Sequence, residues 1–232
     1  MDELWTVHLG VVEYREAYAL QERVRAARQA GAIPDTVLLL EHDPVFTHGR
    51  RTAPGELAMG EDWYRMQGID VVGVDRGGKV TYHGPGQLVG YPIVAIDDVM
   101  AFVAQLEQAT VRALEDEGVP GTRGRHDDGR DYTGVWIEDR KIASIGLHVS
   151  RGVTTHGFAV NVDNDLQPFN WVVACGLPEV RMTSVTKETR TGDHLECFRK
   201  RMAFRLAEAL GRRQRLVSRA RLEAALAPVG VG

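Results

Sequence analysis

Tyr132-Thr-Gly-Val-Trp-Ile-Glu138, Lys141-Ile-Ala-Ser-Ile-Gly-Leu-His-Val149 and Val153-Thr-Thr-His-Gly-Phe-Ala-Val-Asn-Val162 follow one another closely. Only Asp139-Arg140 and Ser150-Arg151-Gly152 separate them. Each run is rich in β-branched and aromatic residues, and such short separators leave room only for hairpins. The stretch reads as an antiparallel meander.

Upstream, strands and helices alternate without a regular βαβ rhythm. Trp5–Gly10 reads as a strand. Tyr14–Gln29 reads as a helix, with Ala17, Leu20, Val24 and Ala27 at helical spacing and Gly31 as its stop. Thr36–Glu41, Ile69–Asp75 and Gln87–Ala95 read as strands, the last with Pro92 placing it near a sheet edge. Asp43–Gly60 carries enough Pro and Gly to read as loop. Asp97 and Asp98 cap a long helix that Gly118 ends. A helix over His194–Leu210 turns Leu195, Phe198, Met202, Leu206 and Ala209 inward. The fold class is α+β, with a mixed, largely antiparallel sheet and flanking helices. One domain over 1–232 is expected, with 212–232 as a peripheral C-terminal helix whose helical pattern runs over Arg219–Ala227.

Composition narrows the function. The chain has 232 residues, 44% hydrophobic and 26% charged, which is ordinary globular chemistry. A net charge of −4 argues against a nucleic-acid partner. No apolar run is long enough for a membrane span, and the start lacks a secretory pattern, so a cytoplasmic location is expected. Cys175 and Cys197 form neither a CxxC motif nor a disulfide framework. Cys197 sits beside the inward Phe198 and is expected to be structural. Cys175, on a loop beside Gly176, is open to either a structural or a nucleophilic reading.

No phosphate-binding loop, dinucleotide fingerprint or serine elbow is present. His148 and His156 are expected on different faces of a hairpin, without a third metal ligand. Arg76-Gly-Gly-Lys-Val-Thr-Tyr-His-Gly-Pro-Gly-Gln87 is the most unusual stretch. Its glycines let backbone approach a ligand, Arg76 can bind an anion or carbonyl, and His83 can orient or move a proton. In Lys141-Ile-Ala-Ser-Ile-Gly146, strict alternation puts Lys141 on one face with Ala143 and Ile145. A lysine there is poorly solvated and suited to proton transfer.

Arg76–Gln87 resembles the R-G-G-x-x-T-[FY]-H-x-P-G-Q signature of the lipoyl(octanoyl) transferases. Lys141–Gly146, His156–Asn161 and the N-V-x-x-D-L-x-x-F…C-G segment ending at Gly176 resemble that family in the same order, over residues from about 36 to 210. Ala174 departs from the family's usual proline before the cysteine.

The resemblance implies the fold of the biotin and lipoate protein ligases, akin to the class II aminoacyl-tRNA synthetase core. It implies transfer of an octanoyl or lipoyl group from acyl carrier protein. The acceptors would be lysines of lipoyl domains of 2-oxoacid dehydrogenase complexes and of the glycine cleavage H protein. Neither cofactor nor metal is implied, and a monomer is expected. By match, Cys175 is the acyl-thioester nucleophile and Lys141 the cation that favours its thiolate. Arg76, Gly77, Gly78, Lys79, Val80, Thr81, Tyr82, His83, Ser144, Ile145, Gly146, Gly157, Phe158 and Ala159 line the acyl site. Val80, Val160 and Trp171 are candidates for a chain tunnel. The rival readings are an ATP-dependent lipoate or biotin ligase of the same fold and a non-catalytic carrier-binding protein. Between Arg199 and Arg221 lie nine Arg or Lys and one acid, a segment that could dock an acidic carrier.

Overall fold

The computed structural model describes residues 2–53, 55–124, 132–173 and 180–227. The expected meander forms as β8 (Gly134–Ile137), β9 (Arg140–Ser150) and β10 (Val153–Asn161), antiparallel throughout. The sheet continues from β10 through β6 (Gln87–Ile93) to β2 (Asp35–Glu41), again antiparallel. Beyond β2, β1 (Glu3–Val11) and β12 (Arg213–Leu216) add in parallel. At the other end, β7 (Thr122–Arg123) pairs with β8, and β11 (Arg181–Met182) runs parallel to the start of β9. The sheet is mixed and largely antiparallel, as the sequence pattern predicts.

Helices cover both faces, and α2 (Glu61–Met66) and α4 (Val185–Thr189) are short connecting helices. α1 (Tyr14–Gln29) has the predicted bounds, and Glu13 caps it by accepting the Glu16 N–H at 2.9 Å. Together with α6 (Arg219–Leu226), it packs Ala17, Leu20, Val24 and Leu222 against Val7, Leu38, Leu40 and Ala159. α3 (Val99–Glu115) is capped by Asp98, whose carboxylate accepts from Met100 and Ala101. With α5 (Leu195–Ala209), it buries Phe102, Leu106, Leu114, Phe198, Met202 and Leu206 on the opposite face.

Several readings are corrected. The turn-rich segments conceal two strands, β3 (Val45–His48) and β5 (Val80–His83). With β4 (Asp70–Gly73), they form a separate sheet in the order β4-β3-β5. Proline and glycine flank both short strands and mask their β-branched and aromatic content. Pro92 is not at an edge, since β6 lies between β2 and β10. The β6–β10 ladder stops at Gly90↔Phe158, however, so Pro92, with no N–H to offer, lies beyond its last rung. The last helix forms almost as expected, as α6 with a fully buried Leu222, but the 212–232 segment first adds β12 to the sheet.

Cys197 is exposed. The buried stripe of α5 is Phe198, Met202, Ala203, Leu206 and Ala207, and one residue before Phe198 is about 100° round the helix.

The basic C-terminal segment is also not a free field. Arg212 pairs with Asp2 at 2.6 Å and Asp35 at 3.0 Å, Arg213 and Arg215 both pair with Glu3, and Arg219 pairs with Glu16. Arg205 pairs with Asp116, and Arg201 with Glu117. Distant acids neutralise the local excess, which removes the basis for docking a carrier through Arg212, Arg213 and Arg215.

Gly157 shows how tightly β10 lies against β6. A Cβ there would meet the Gly90 carbonyl oxygen at 2.2 Å and Pro92 Cδ at 2.5 Å. Backbone and a proline ring cannot swing aside. Gly157→Ala should therefore cost about 3 kcal/mol through overpacking, which is roughly 6–12 °C in Tm for a chain of this size. A thermal melt within 2 °C of wild type would refute this packing account.

Candidate active site

The small sheet lies over the cavity-facing side of β9 and β10, and the cavity opens between them. Arg76, Gly78, Lys79, Val80, Thr81 and His83 line it from above. Lys141, Ser144, Ile145, Gly146, Gly157, Phe158 and Ala159 line it from the sheet. Three segments far apart in sequence thus converge. Gly77 and Tyr82 are not among the lining residues. The Gly77 N–H clamps the loop onto β9 by donating to the Leu147 carbonyl at 2.9 Å. Tyr82 packs between Phe46 and Phe169, with ring centroids at 5.5 Å from each. Of the tunnel candidates, only Val80 faces the cavity. Val160 belongs to the main core, and Trp171 packs edge-on against Trp63.

Arg76 is buried and anchors the overlying sheet. Its Nη2 donates to the Thr47 carbonyl at 2.8 Å and to Thr47 Oγ1 at 2.7 Å. A Cβ on Gly49 would meet the Gly78 and Arg76 carbonyls at 2.6 and 2.9 Å, so only glycine lets the two loops pack.

Lys141 is 3% exposed, in keeping with the desolvated lysine read from the sequence, but strict alternation does not put it there. Val135 pairs with Ala143, while Trp136 pairs with Lys141, which leaves Ile142 as an extra residue in β9. This bulge sends both Ile142 and Ala143 into the core, and Lys141 lines the cavity with Ser144 and Gly146. Its Nζ lies 5.3 Å from the Trp136 ring centroid.

Cys175 lies in 174–179, outside the described residues, as do Ala174 and Gly176. The flanking residues bond toward two residues that line the cavity, Lys79 and Lys141. The Val173 N–H donates to the Glu56 carbonyl at 3.0 Å, and Glu56 Oε1 accepts from Lys79 Nζ at 2.6 Å. On the other side, Met182 pairs with Lys141, and the Thr183 N–H donates to the Lys141 carbonyl at 3.0 Å.

Four lining residues were not expected: Tyr14, Tyr91, Thr133 and His156. His156 opens the quoted H-G-F-A-V-N segment and could have been read from it. Tyr14 and Tyr91 carry no local signal. Buried histidines surround this end of the cavity. His42 donates from Nδ1 to the Val12 carbonyl at 2.7 Å and accepts the Tyr91 hydroxyl at Nε2, 2.6 Å away. His83 donates from Nδ1 to Gln87 Oε1 at 2.7 Å, and Gln87 Nε2 donates to Asn161 Oδ1 and the Tyr82 carbonyl. Burial, followed by the neighbouring His42, holds His83 well below the usual histidine range.

His148 and His156 do not diverge. Both Nε2 atoms reach Asp75, at 3.5 and 2.8 Å. The left-handed backbone of His156, φ +57°, breaks the alternation on which that reading depends. Among the described residues, no group of three or more His, Cys, Asp or Glu side chains could hold a metal. No helix among them is long and apolar enough to cross a membrane.

The model of the lipoyl protein ligase A/B catalytic domain matches residues 13–207. A crystal structure of lipoate-protein ligase A bound with ATP superposes with a TM-score of 0.80 at 19% identity, covering 97% of this chain and 93% of that one. The fold is therefore that of the lipoate-protein ligases. An octanoyltransferase of Acidothermus cellulolyticus is 45% identical over 212 residues, 88% of this chain and 90% of its own length. Another, from Dictyoglomus thermophilum, is 38% identical over 200 residues, 86% and 84% of the two chains. The chain belongs to the lipoyl(octanoyl) transferase family and is an acyltransferase.

Proposed function

We propose that this acyltransferase moves an octanoyl group from acyl carrier protein to a lysine of lipoyl domains, by way of a thioester on Cys175. The acceptors are those of 2-oxoacid dehydrogenase complexes and the glycine cleavage H protein. The observation that supports this reading is the buried Lys141 on the wall of a cavity that the three family-like segments line together. Val173 is held by Glu56, and Met182 pairs with Lys141 itself.

The chemistry then closes on itself. Cys175 enters as a thiolate beside the Lys141 ammonium. It attacks the donor thioester, and the carrier thiolate leaves and takes a proton from Lys141. The acceptor lysine, entering as a neutral amine, attacks the acyl-enzyme. Its proton passes to the Lys141 amine, and Cys175 leaves as a thiolate. The donor thioester is already activated, so the cycle needs no ATP. Arg76, Gly78–Thr81, His83, Ser144–Gly146 and Gly157–Ala159 hold the chain.

Intact-mass spectrometry after incubation with octanoyl-acyl carrier protein tests the reading. One octanoyl group should add to the wild type and to Cys197→Ser, and none to Cys175→Ser. An adduct surviving Cys175→Ser would refute the assignment. A strict need for ATP would favour the ligase reading instead.

A further inference from the structure

His156 pays twice for its position in β10. Its φ of +57° is a left-handed conformation in mid-strand, which a non-glycine residue keeps only when its surroundings impose it. Gln21, fully buried on α1, helps impose it by accepting the His156 N–H at 2.7 Å. The residue is 1% exposed. Its Nε2 donates to Asp75 Oδ1 at 2.8 Å. Nδ1 is left as a buried acceptor with no hydrogen-bond partner among the described residues. The ring lines the cavity beside Tyr14 and Tyr91.

The sheet register gives the distance from this ring to the reacting end. A Cβ on Gly134 would lie 2.9 Å from Lys141 Cε, so the end of the lysine side chain is level with Gly134. Gly134 pairs with Ser144, which pairs with Ala159, while His156 pairs with Leu147. From Ser144 to Leu147 is three residues, about 10 Å at roughly 3.3 Å per residue. An extended eight-carbon acyl chain has seven C–C bonds of about 1.5 Å and is about 9 Å long.

We infer that His156, set by Asp75 and Gln21, is the stop of the acyl channel and fixes the length of chain the enzyme transfers. The inference rests on the acyl-transfer reading of the same cavity. A chain of eight carbons ends short of the ring. A longer one meets a ring that Asp75 and the left-handed backbone hold in place, and must displace it against its packing on Tyr18.

Two measurements test this with acyl-phosphopantetheine carriers as donors and a lipoyl domain as acceptor. In the wild type, octanoyl should be transferred at least tenfold better than dodecanoyl. Equal use of the two overturns the inference. His156→Gly suits the left-handed backbone and removes both ring and acceptor. It should raise the dodecanoyl-to-octanoyl ratio of kcat/KM at least tenfold. His156→Asn, which also tolerates this backbone, should raise it less. Unchanged ratios in both variants overturn the stop. If the wild type transfers from none of the donors, the acyl-transfer reading fails instead.

Discussion

Replacing Lys141 by arginine should separate the two halves of the reaction. Lys141 is buried and lines the cavity with Ser144 and Gly146, against the face of Trp136. Its first proposed task is electrostatic, favouring the Cys175 thiolate. Its second is to carry a proton, first to the departing carrier thiolate and then from the attacking amine. Guanidinium keeps the charge but stays protonated, so it can do the first and not the second. Acyl loading of Lys141→Arg, followed by intact mass, should stay within about tenfold of wild type. Amide formation should fall by 10²–10⁴, the usual worth of a positioned acid–base group. Lys141→Ala loses both tasks, and both half-reactions should slow. Rapid mixing of a preloaded acyl-enzyme with lipoyl domain measures the second step alone. Wild-type rates for both steps in Lys141→Ala would remove the residue from the mechanism.

Much of this site is legible in the linear sequence because its recognition elements are local. The glycines of Arg76–Gln87, the Asp98 cap of α3 and the short separators between β8, β9 and β10 are each set by residues a few positions apart. What is not legible depends on single departures from regular geometry. The extra Ile142 in β9 moves Lys141 to the cavity side, and nothing in Lys-Ile-Ala-Ser announces a bulge. The left-handed His156 brings two histidines onto Asp75, where period-two reasoning separates them. Tyr14 and Tyr91 reach the cavity through tertiary packing alone. The arginines near the C-terminus read as a basic patch because their carboxylate partners, Asp2, Glu3 and Glu16, lie some 200 residues away. Local propensity reports which elements form. Bulges, strained residues and long-range ion pairs are decided by the packing of whole elements.

The same buried histidines should make the fold acid-sensitive well above the carboxylate range. Burial pushes His42 down to about 4, only partly opposed by the Val12 carbonyl. Burial likewise pushes His156 down to about 4, against the pull of Asp75. In the unfolded chain both titrate near 6.5. Between those values the unfolded state binds protons that the folded state refuses, so stability rises with pH. The contribution is complete above about pH 7.5, is lost progressively from 6.5 down to 4, and falls no further below that. At pH 5 each histidine has forfeited about 2 kcal/mol, and the pair about 4 kcal/mol. That is roughly 8–16 °C in Tm for a chain of this length, and His83 adds to it in the same direction. Asp75 acts in a different window. Burial raises it, but His156 and His148 together hold it below the ordinary aspartate value, so its share is lost only at lower pH. Melts recorded from pH 8 to pH 5 at constant ionic strength should show a steady fall beginning near 6.5. His42→Gln, which cannot titrate, should remove about a third to a half of the slope. A profile flat between pH 7 and 5 would mean that these rings accept protons in the folded state and that the neutral network His42–Tyr91 does not hold.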